Sequence, residues 1–397
     1  MSLLQIEERN FSQGLGLWRL GFRPFFLGAG LLAVLVMALW MAIFLLGWNI
    51  VPEGYAAPVW HAHEMIFGYA VAVIAGFLLT AVKNWTNVQT AHGSALMGLF
   101  LLWVAARVAP FTGLPEVAFL FDVLFLFALS AAVLHPVVKA RSWNQLGIVA
   151  VVLLLACSNV LFYLGLLELV PGGIRQGLYA GLYLVIALIL VVGRRVIPFF
   201  IERGCDHPVQ LTYRNWLDVA IVLFYLLFAL TEVFAPFELL SSLLAAALVI
   251  LNLIRLRDWH TPGLWRKPLL WVLYVAYLWI VIGFLFKSVG PWLGLSPALG
   301  LHALTVGGIG MMTLGMMARV ALGHTGRNVF SPPKIVGWMF LLLGVAGVTR
   351  VLLPLISFQY YASWIMLSQL LWIAAFALFV FVYTPILVKP RIDGRYG

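Results

Sequence analysis

The sequence predicts an all-α, polytopic integral membrane protein with about twelve transmembrane helices and both termini cytoplasmic. Three observations predict it. The 397 residues are 64% hydrophobic and only 10% charged, with a mean hydropathy of +1.05. A soluble domain is about half apolar and about a quarter charged, so this chain has too little polar surface to cover a globule in water. Apolar runs of span length, about 20 residues, recur along the whole chain. Finally, lysine and arginine gather in alternate loops between those runs, as they do where membrane orientation is set.

The spans are read in order at 25–47, 63–82, 93–109, 117–138, 145–167 and 174–192, then at 216–234, 237–254, 269–286, 298–322, 335–353 and 361–388. Each is expected to be a helix, because inside lipid every backbone amide must find a partner within its own segment. The alternating pattern of a membrane β-barrel is absent. Glu7 and Glu8 stand where a signal peptide would be basic, so the first apolar run is expected to remain as a span.

The positive charges test the count. With the N-terminus inside, the even-numbered spans end inside. Arg9, Arg19 and Arg23, the loops around Lys83, Lys139, Arg194, Arg214, Arg255, Lys267, Arg327 and Lys334, and the C-terminal basic residues then share the cytoplasmic side. Of the 24 lysines and arginines only Arg107, Arg175, Lys287 and Arg350 fall outside. A miscounted span would scramble that segregation. The net charge of +10 is therefore a membrane signal, with no nucleic-acid partner implied. Residues 1–397 read as one membrane domain. The longest polar stretch, 193–215, joins two six-span halves and is too short for a domain. Cys157 and Cys205 lie far apart, without metal-binding spacing. Tryptophans at span ends, among them Trp40, Trp48, Trp60, Trp143, Trp292 and Trp364, are expected to form interfacial belts.

Chemistry is sought first among the eight histidines. His135, His207 and His260 fall in or beside cytoplasmic loops, where water satisfies them. The other five lie at span ends. In Pro58-Val59-Trp60-His61-Ala62-His63-Glu64-Met65 the proline suits a first helical turn. His61 and Met65 then share a face, while His63 points about 200° away from His61. Glu64 suits a helix N-terminus through the dipole. Imidazole is a common ligand for haem iron, copper and zinc. Two metal-free interfacial histidines are the alternative.

The tenth span carries His302 near its outer end and His324 near its inner end. Their spacing puts both on roughly one face, about 33 Å apart, with Thr305, Val306, Ile309, Thr313, Met316 and Val320. Gly300, Gly307, Gly308, Gly315 and Ala318 collect opposite, where small residues allow close helix packing. Topology groups His61, His63 and His302 outside, and His92 and His324 inside. Two clusters would suit two metal centres, or one centre and a gate. A bis-imidazole haem needs histidines from opposing helices, which spans two and ten supply. Lys287 and Arg350 are on the correct side for the propionates of an outer haem, although snorkelling explains them equally well. Asp122, Cys157, Ser158, Asn159, Glu168 and Glu232 are weaker polar candidates.

The segment Trp18-Arg19-Leu20-Gly21-Phe22-Arg23-Pro24-Phe25-Phe26 resembles the entry of the NnrS family. So do Trp60-His61-Ala62-His63-Glu64-Met65, Gly76-Phe77-Leu78-Leu79-Thr80-Ala81-Val82 and the stretch from His302 to Gly323-His324-Thr325-Gly326-Arg327. Lys83-Asn84-Trp85 departs from the pattern, where a proline is expected after the second span. The resemblance implies a twelve-span protein of the bacterial inner membrane that contains haem, taken as b-type, and copper. It also implies a role in denitrification-linked protection from nitric oxide and nitrosative stress. The matching motif histidines are His61, His63, His302 and His324. Nitric oxide is then the expected small-molecule ligand, and the lipid bilayer is the other partner. The reaction, if there is one, and the electron donor stay open. A transporter without redox cofactor, with a glycine-broken tenth span, is the competing reading. A haem- or copper-handling maturation factor is a third.

Overall fold

The computed structural model describes residues 14–235 and 237–397. Glu7, Glu8 and Arg9 lie outside the described residues. The chain is 80% helical, with no strand among the described residues. Among the described residues twelve helices are long and apolar enough to cross a membrane. They are α1 (Phe22–Leu46), α2 (Ala57–Thr86), α3 (Gly93–Thr112), α4 (Pro115–Lys139), α5 (Trp143–Leu166) and α6 (Gly173–Gly204), and then α7 (Asn215–Phe234), α8 (Glu238–Trp259), α9 (Pro268–Val289), α10 (Pro297–His324), α11 (Ile335–Ile356) and α12 (Phe358–Val388). An even number of crossings returns both termini to one end of the bundle, called here the termini end. The other end is the far end.

Each expected span coincides with one helix, but several boundaries differ, and in α2 and α6 the physical reason is plain. α2 begins six residues before 63, because Pro58 sits in its first turn, where a missing N–H costs nothing. It ends at Thr86, where Asn87 takes a left-handed φ of 54°. α6 continues from its apolar part through Arg194 and Arg195 to Gly204, so half of the polar stretch 193–215 is helix. Arg194 donates to Asp218 at 2.9 Å, and Arg255 pairs with the same carboxylate. These pairs hold the polar turns of α6 against α7 and α8.

Two helices are central. The most apolar stretches of α2 and α10 are each 78% buried within the bundle, against 28–61% for the other ten. α2 packs on α1, α3, α4, α6 and α10, and α10 packs on α1, α2, α9, α11 and α12. The expected glycine face of α10 meets α9. A methyl group at Gly307 would collide with Trp279, and one at Gly315 would lie 2.7 Å from Val272. Only a residue without Cβ lets the two helices approach that closely.

Both central helices also contain a wide, π-wound segment, Glu64–Ala70 in α2 and Ala303–Gly310 in α10. Hydrophobic periodicity does not reveal such windings. A π segment shifts hydrogen bonding to i→i+5 and is frequent at functional sites. At Gly68 of α2 the carbonyl accepts from the indole N–H of Trp103 at 3.0 Å. One cross-link joins the two central helices: Tyr69 and Thr313 share a 2.5 Å hydroxyl–hydroxyl hydrogen bond. Each π segment starts directly after a histidine, His63 in one helix and His302 in the other.

Candidate functional site

A cavity of about 350 Å³ opens between α1, α2, α6, α10, α11 and α12 toward the far end. Pro58 starts α2 so that His61 and, one turn on, Met65 face this space. His302 and Thr305 enter it from α10, Arg350 from α11, and Tyr361, Gln369 and Trp372 from α12. Much of the remaining wall is apolar, with Met37, Leu182, Ile309 and Ile365 among its residues.

The two imidazoles are held differently. His61 stacks on Trp40 with ring centroids 4.6 Å apart and planes 13° apart. Its Nδ1 is buried and has no hydrogen-bond partner. His302 lies with Nδ1 2.7 Å from the carbonyl of Ala298, an oxygen that can only accept. Nδ1 therefore carries the proton, and Nε2 presents a lone pair. Arg350 Nη2 lies 3.2 Å from that Nε2 and donates to it. A backbone carbonyl fixing one ring N–H while the other nitrogen stays basic is how metal-binding histidines are oriented. Trp40 and Trp60, expected in interfacial belts, turn inward instead. Trp40 covers His61, and Trp60 is 1% exposed.

His63 faces the other way. It is fully buried between α2, α4 and α5, stacked on Phe162 at 4.4 Å. Its Nε2 lies 2.9 Å from Asn159 Oδ1 and 3.6 Å from Asp122, and its Nδ1 lies 3.3 Å from Glu64. Arg107 donates to Glu64 at 2.8 Å and pairs with Asp122, which also accepts from Tyr163 at 2.7 Å. Both ring nitrogens of His63 are thus engaged by protein, and the network ties α2, α3, α4 and α5 together. Glu64 serves that network rather than only the helix dipole. Tyr55, in the loop before α2, packs beside it, and burial pushes its phenol well above the usual range.

The other expected site residues lie elsewhere. His92 caps α3 at the termini end, its Nδ1 3.0 Å from the Thr90 carbonyl. His324 ends α10 there, its ring 5.8 Å from Phe22, and Arg391 donates to its backbone carbonyl at 2.9 Å. Lys287 is at the far end, but it is paired with Glu232 at 2.5 Å and does not line the cavity. Glu232 also accepts from Tyr183 at 2.9 Å. Among the described residues no three His, Cys, Asp or Glu side chains converge as a metal cluster.

The structure thus brings together His61, His302 and Arg350 and sets His63, His92, His324 and Lys287 apart from them. Sequence reasoning missed Arg107, Tyr163 and Gln369. Arg107 and Gln369 had a signal, as polar residues inside apolar runs at membrane depth. Tyr163 had none, since tyrosine is unremarkable in a span.

Two cavity residues on different helices, His61 with an open Nδ1 and His302 with an Nε2 met only by the mobile-ended Arg350 side chain, and neither covered by a carboxylate, fit a metal or metal macrocycle better than a bare hydrophobic ligand. The two imidazoles alone would leave a naked ion short of protein donors. Met65 is the further soft donor on the cavity wall. Compared with known families, the chain matches the family model described as NnrS protein over residues 16–391. A search of curated proteins finds no match.

Proposed function

The chain belongs to the NnrS family, and on that premise we propose that it is a metal-containing membrane protein of the nitric-oxide response, with its centre on His61 and His302. The observation that carries the reading is the meeting of these two imidazoles, from α2 and α10, in one cavity at membrane depth. Their chemistry suits haem first. A haem would bring most of its own iron donors, so His61 and His302 would be enough to hold it, and a b-type haem would need no covalent attachment. Copper is the second metal, with His61, His302 and Met65 as a nitrogen and thioether set suited to Cu(I).

A metal bound there supplies a centre that takes nitric oxide as a ligand. The protein's own residues do the rest. The Ala298 carbonyl keeps His302 in one tautomer, and Trp40 holds the His61 ring in plane by stacking. Arg350 sets positive charge against the site. Apolar side chains such as Met37 and Ile309 limit water, and they suit a small uncharged gas that dissolves in lipid. We place the protein in the bacterial inner membrane with both termini cytoplasmic, which puts the cavity near the periplasmic face. An electron donor is part of the reading if the centre turns over. The proposed role is protection from nitric oxide and nitrosative stress in denitrification-linked metabolism.

The test is purification in mild detergent, with reduced-minus-oxidised spectra and iron and copper analysis. Stoichiometric haem with a band altered by nitric oxide is expected. His302→Ala is expected to remove or shift the Soret band and His61→Ala to change it, while His92→Ala and His324→Ala leave it in place. Unchanged spectra in well-folded His61 and His302 variants would overturn the assignment. The π segments in α2 and α10 favour a second reading, transport through interrupted helices. Folded protein without colour or metal would make that the leading one.

A further inference from the structure

Most buried charges in this bundle meet an opposite charge. Arg107 meets Glu64 and Asp122, Lys287 meets Glu232, and Arg255 meets Asp218. Arg23 has no acidic side chain, but its two terminal nitrogens donate to backbone carbonyls, among them those of Leu387 and Lys389 at 2.7 Å, and only its Nε is left without a partner. Arg350 has neither. Among the described residues it makes no ion pair. Its partners are two neutral groups: Nε2 of His302 at 3.2 Å, and Tyr361, which meets the guanidinium through its hydroxyl and has its ring 5.9 Å from the guanidinium carbon. Its Nη1 is buried without any hydrogen-bond partner. An uncompensated cation away from water is costly, and such residues in membrane spans mark ligand sites.

A second side chain in the same cavity is also unsatisfied. Gln369 is 4% exposed, and both its amide nitrogen and its amide oxygen lack partners. A buried amide with nothing to bond carries the full, uncompensated cost of its desolvation. Ser368 beside it shows the ordinary solution, donating to the Ala346 carbonyl at 2.8 Å. Arg350 and Gln369 therefore bring a positive charge and N–H donors to the wall of one cavity, without an acidic residue among its lining.

We propose that Arg350 and Gln369 form an anion subsite of this cavity, one that takes a carboxylate or a small planar oxoanion. The guanidinium fork matches two oxygens of such a group, and an amide N–H adds a third donor. The inference deepens the metal-centre reading and rests on it for the neighbouring group, while its charge argument is independent of any metal. Two sources share this chemistry: an acid side chain of a bound macrocycle, and a free oxoanion such as nitrite.

The experiment uses full-length protein in nanodiscs as wild type, Arg350→Gln, Arg350→Lys and Gln369→Leu, with thermal unfolding to confirm folding. Cofactor content is measured for each, and nitrite and formate binding is monitored by calorimetry, with formamide as the uncharged control. If the anion is free, wild type binds nitrite and formate but not formamide. Arg350→Gln then weakens binding at least about tenfold, and Arg350→Lys falls between. If the anion belongs to the cofactor, loaded wild type binds neither, and Arg350→Gln releases the cofactor at least about tenfold more readily. Equal cofactor retention and equal anion binding in wild type and a folded Arg350→Gln would overturn the proposal. Should that variant not fold, Gln369→Leu decides by the same readouts. A His61→Ala/His302→Ala variant separates the two readings. Anion binding that survives there keeps the subsite even if no metal is found, whereas its absence in metal-loaded wild type and cofactor retention unchanged in Arg350→Gln sink the subsite alone.

Discussion

His61 and His63 are two residues apart, and that spacing sends them to opposite sides of one helix. His61 faces the cavity with a free Nδ1, whereas His63 is held by Asn159, Glu64 and Asp122. The two positions therefore have different expected phenotypes. His63→Ala leaves Asn159 Oδ1 without its partner and opens a gap beside Glu64 and Asp122. It is expected to cost about 2 kcal/mol of stability while metal content stays at the wild-type level, read by thermal unfolding beside metal analysis. Loss of the spectrum in a His63→Ala protein as stable as wild type would move the centre to that side. The local period already separates the two imidazoles. It does not reveal that four helices converge on His63, through residues as distant as Asp122 and Asn159.

At the scale of the element, the π segments decide where the site residues point. One extra residue per wide turn rotates the helix on its N-terminal side by about 100° relative to the helix on its C-terminal side. In α10 this sets His302 and Thr305 toward the cavity while Gly307 and Gly308 face Trp279 and Ile280 of α9. Deleting Gly308 is expected to return the segment to α winding and swing His302 off the cavity. Metal content should then fall to that of His302→Ala, while the helix content measured by circular dichroism stays near wild type. Retained metal with the deletion would mean that the winding does not aim the ligand. The counterpart in α2 is anchored by the Trp103 indole on the Gly68 carbonyl, whereas the α10 segment is held by packing on α9.

At the scale of the whole molecule, the even number of spans puts both termini on one side, and the proposed orientation, argued from the arginine and lysine bias, makes that side cytoplasmic. Two cysteines test it. Cys205 comes directly after α6 at the termini end, and Trp292, between α9 and α10 at the far end, is 65% exposed. In intact cells a membrane-impermeant maleimide is expected to label Trp292→Cys and to spare Cys205 until the membrane is opened. Burial, helped by Asp206, raises the Cys205 thiol above its ordinary value. The thiolate is the reacting form, so less of it is present at neutral pH, and labelling of opened membranes should accelerate as pH rises. Labelling of Cys205 in sealed cells would invert the orientation and put the cavity on the cytoplasmic side.

The sequence by itself determined the helical class, the number of crossings, the divergence of His61 from His63 and the glycine face of α10. Each derives from local hydropathy or from the 3.6-residue period, which act over one or two turns. The tertiary structure decided which polar groups meet. His61 and His302 are separated by most of the chain, Arg350 reaches His302 from another helix, and Gln369 comes from the last one. It also decided that Lys287 is neutralised by Glu232 while Arg350 is not. Side chains inside lipid gain little from mutual burial, so helix partners are chosen by close packing, irregular turns and charge pairing. Those are properties of surfaces brought together by the fold, and no single segment carries them.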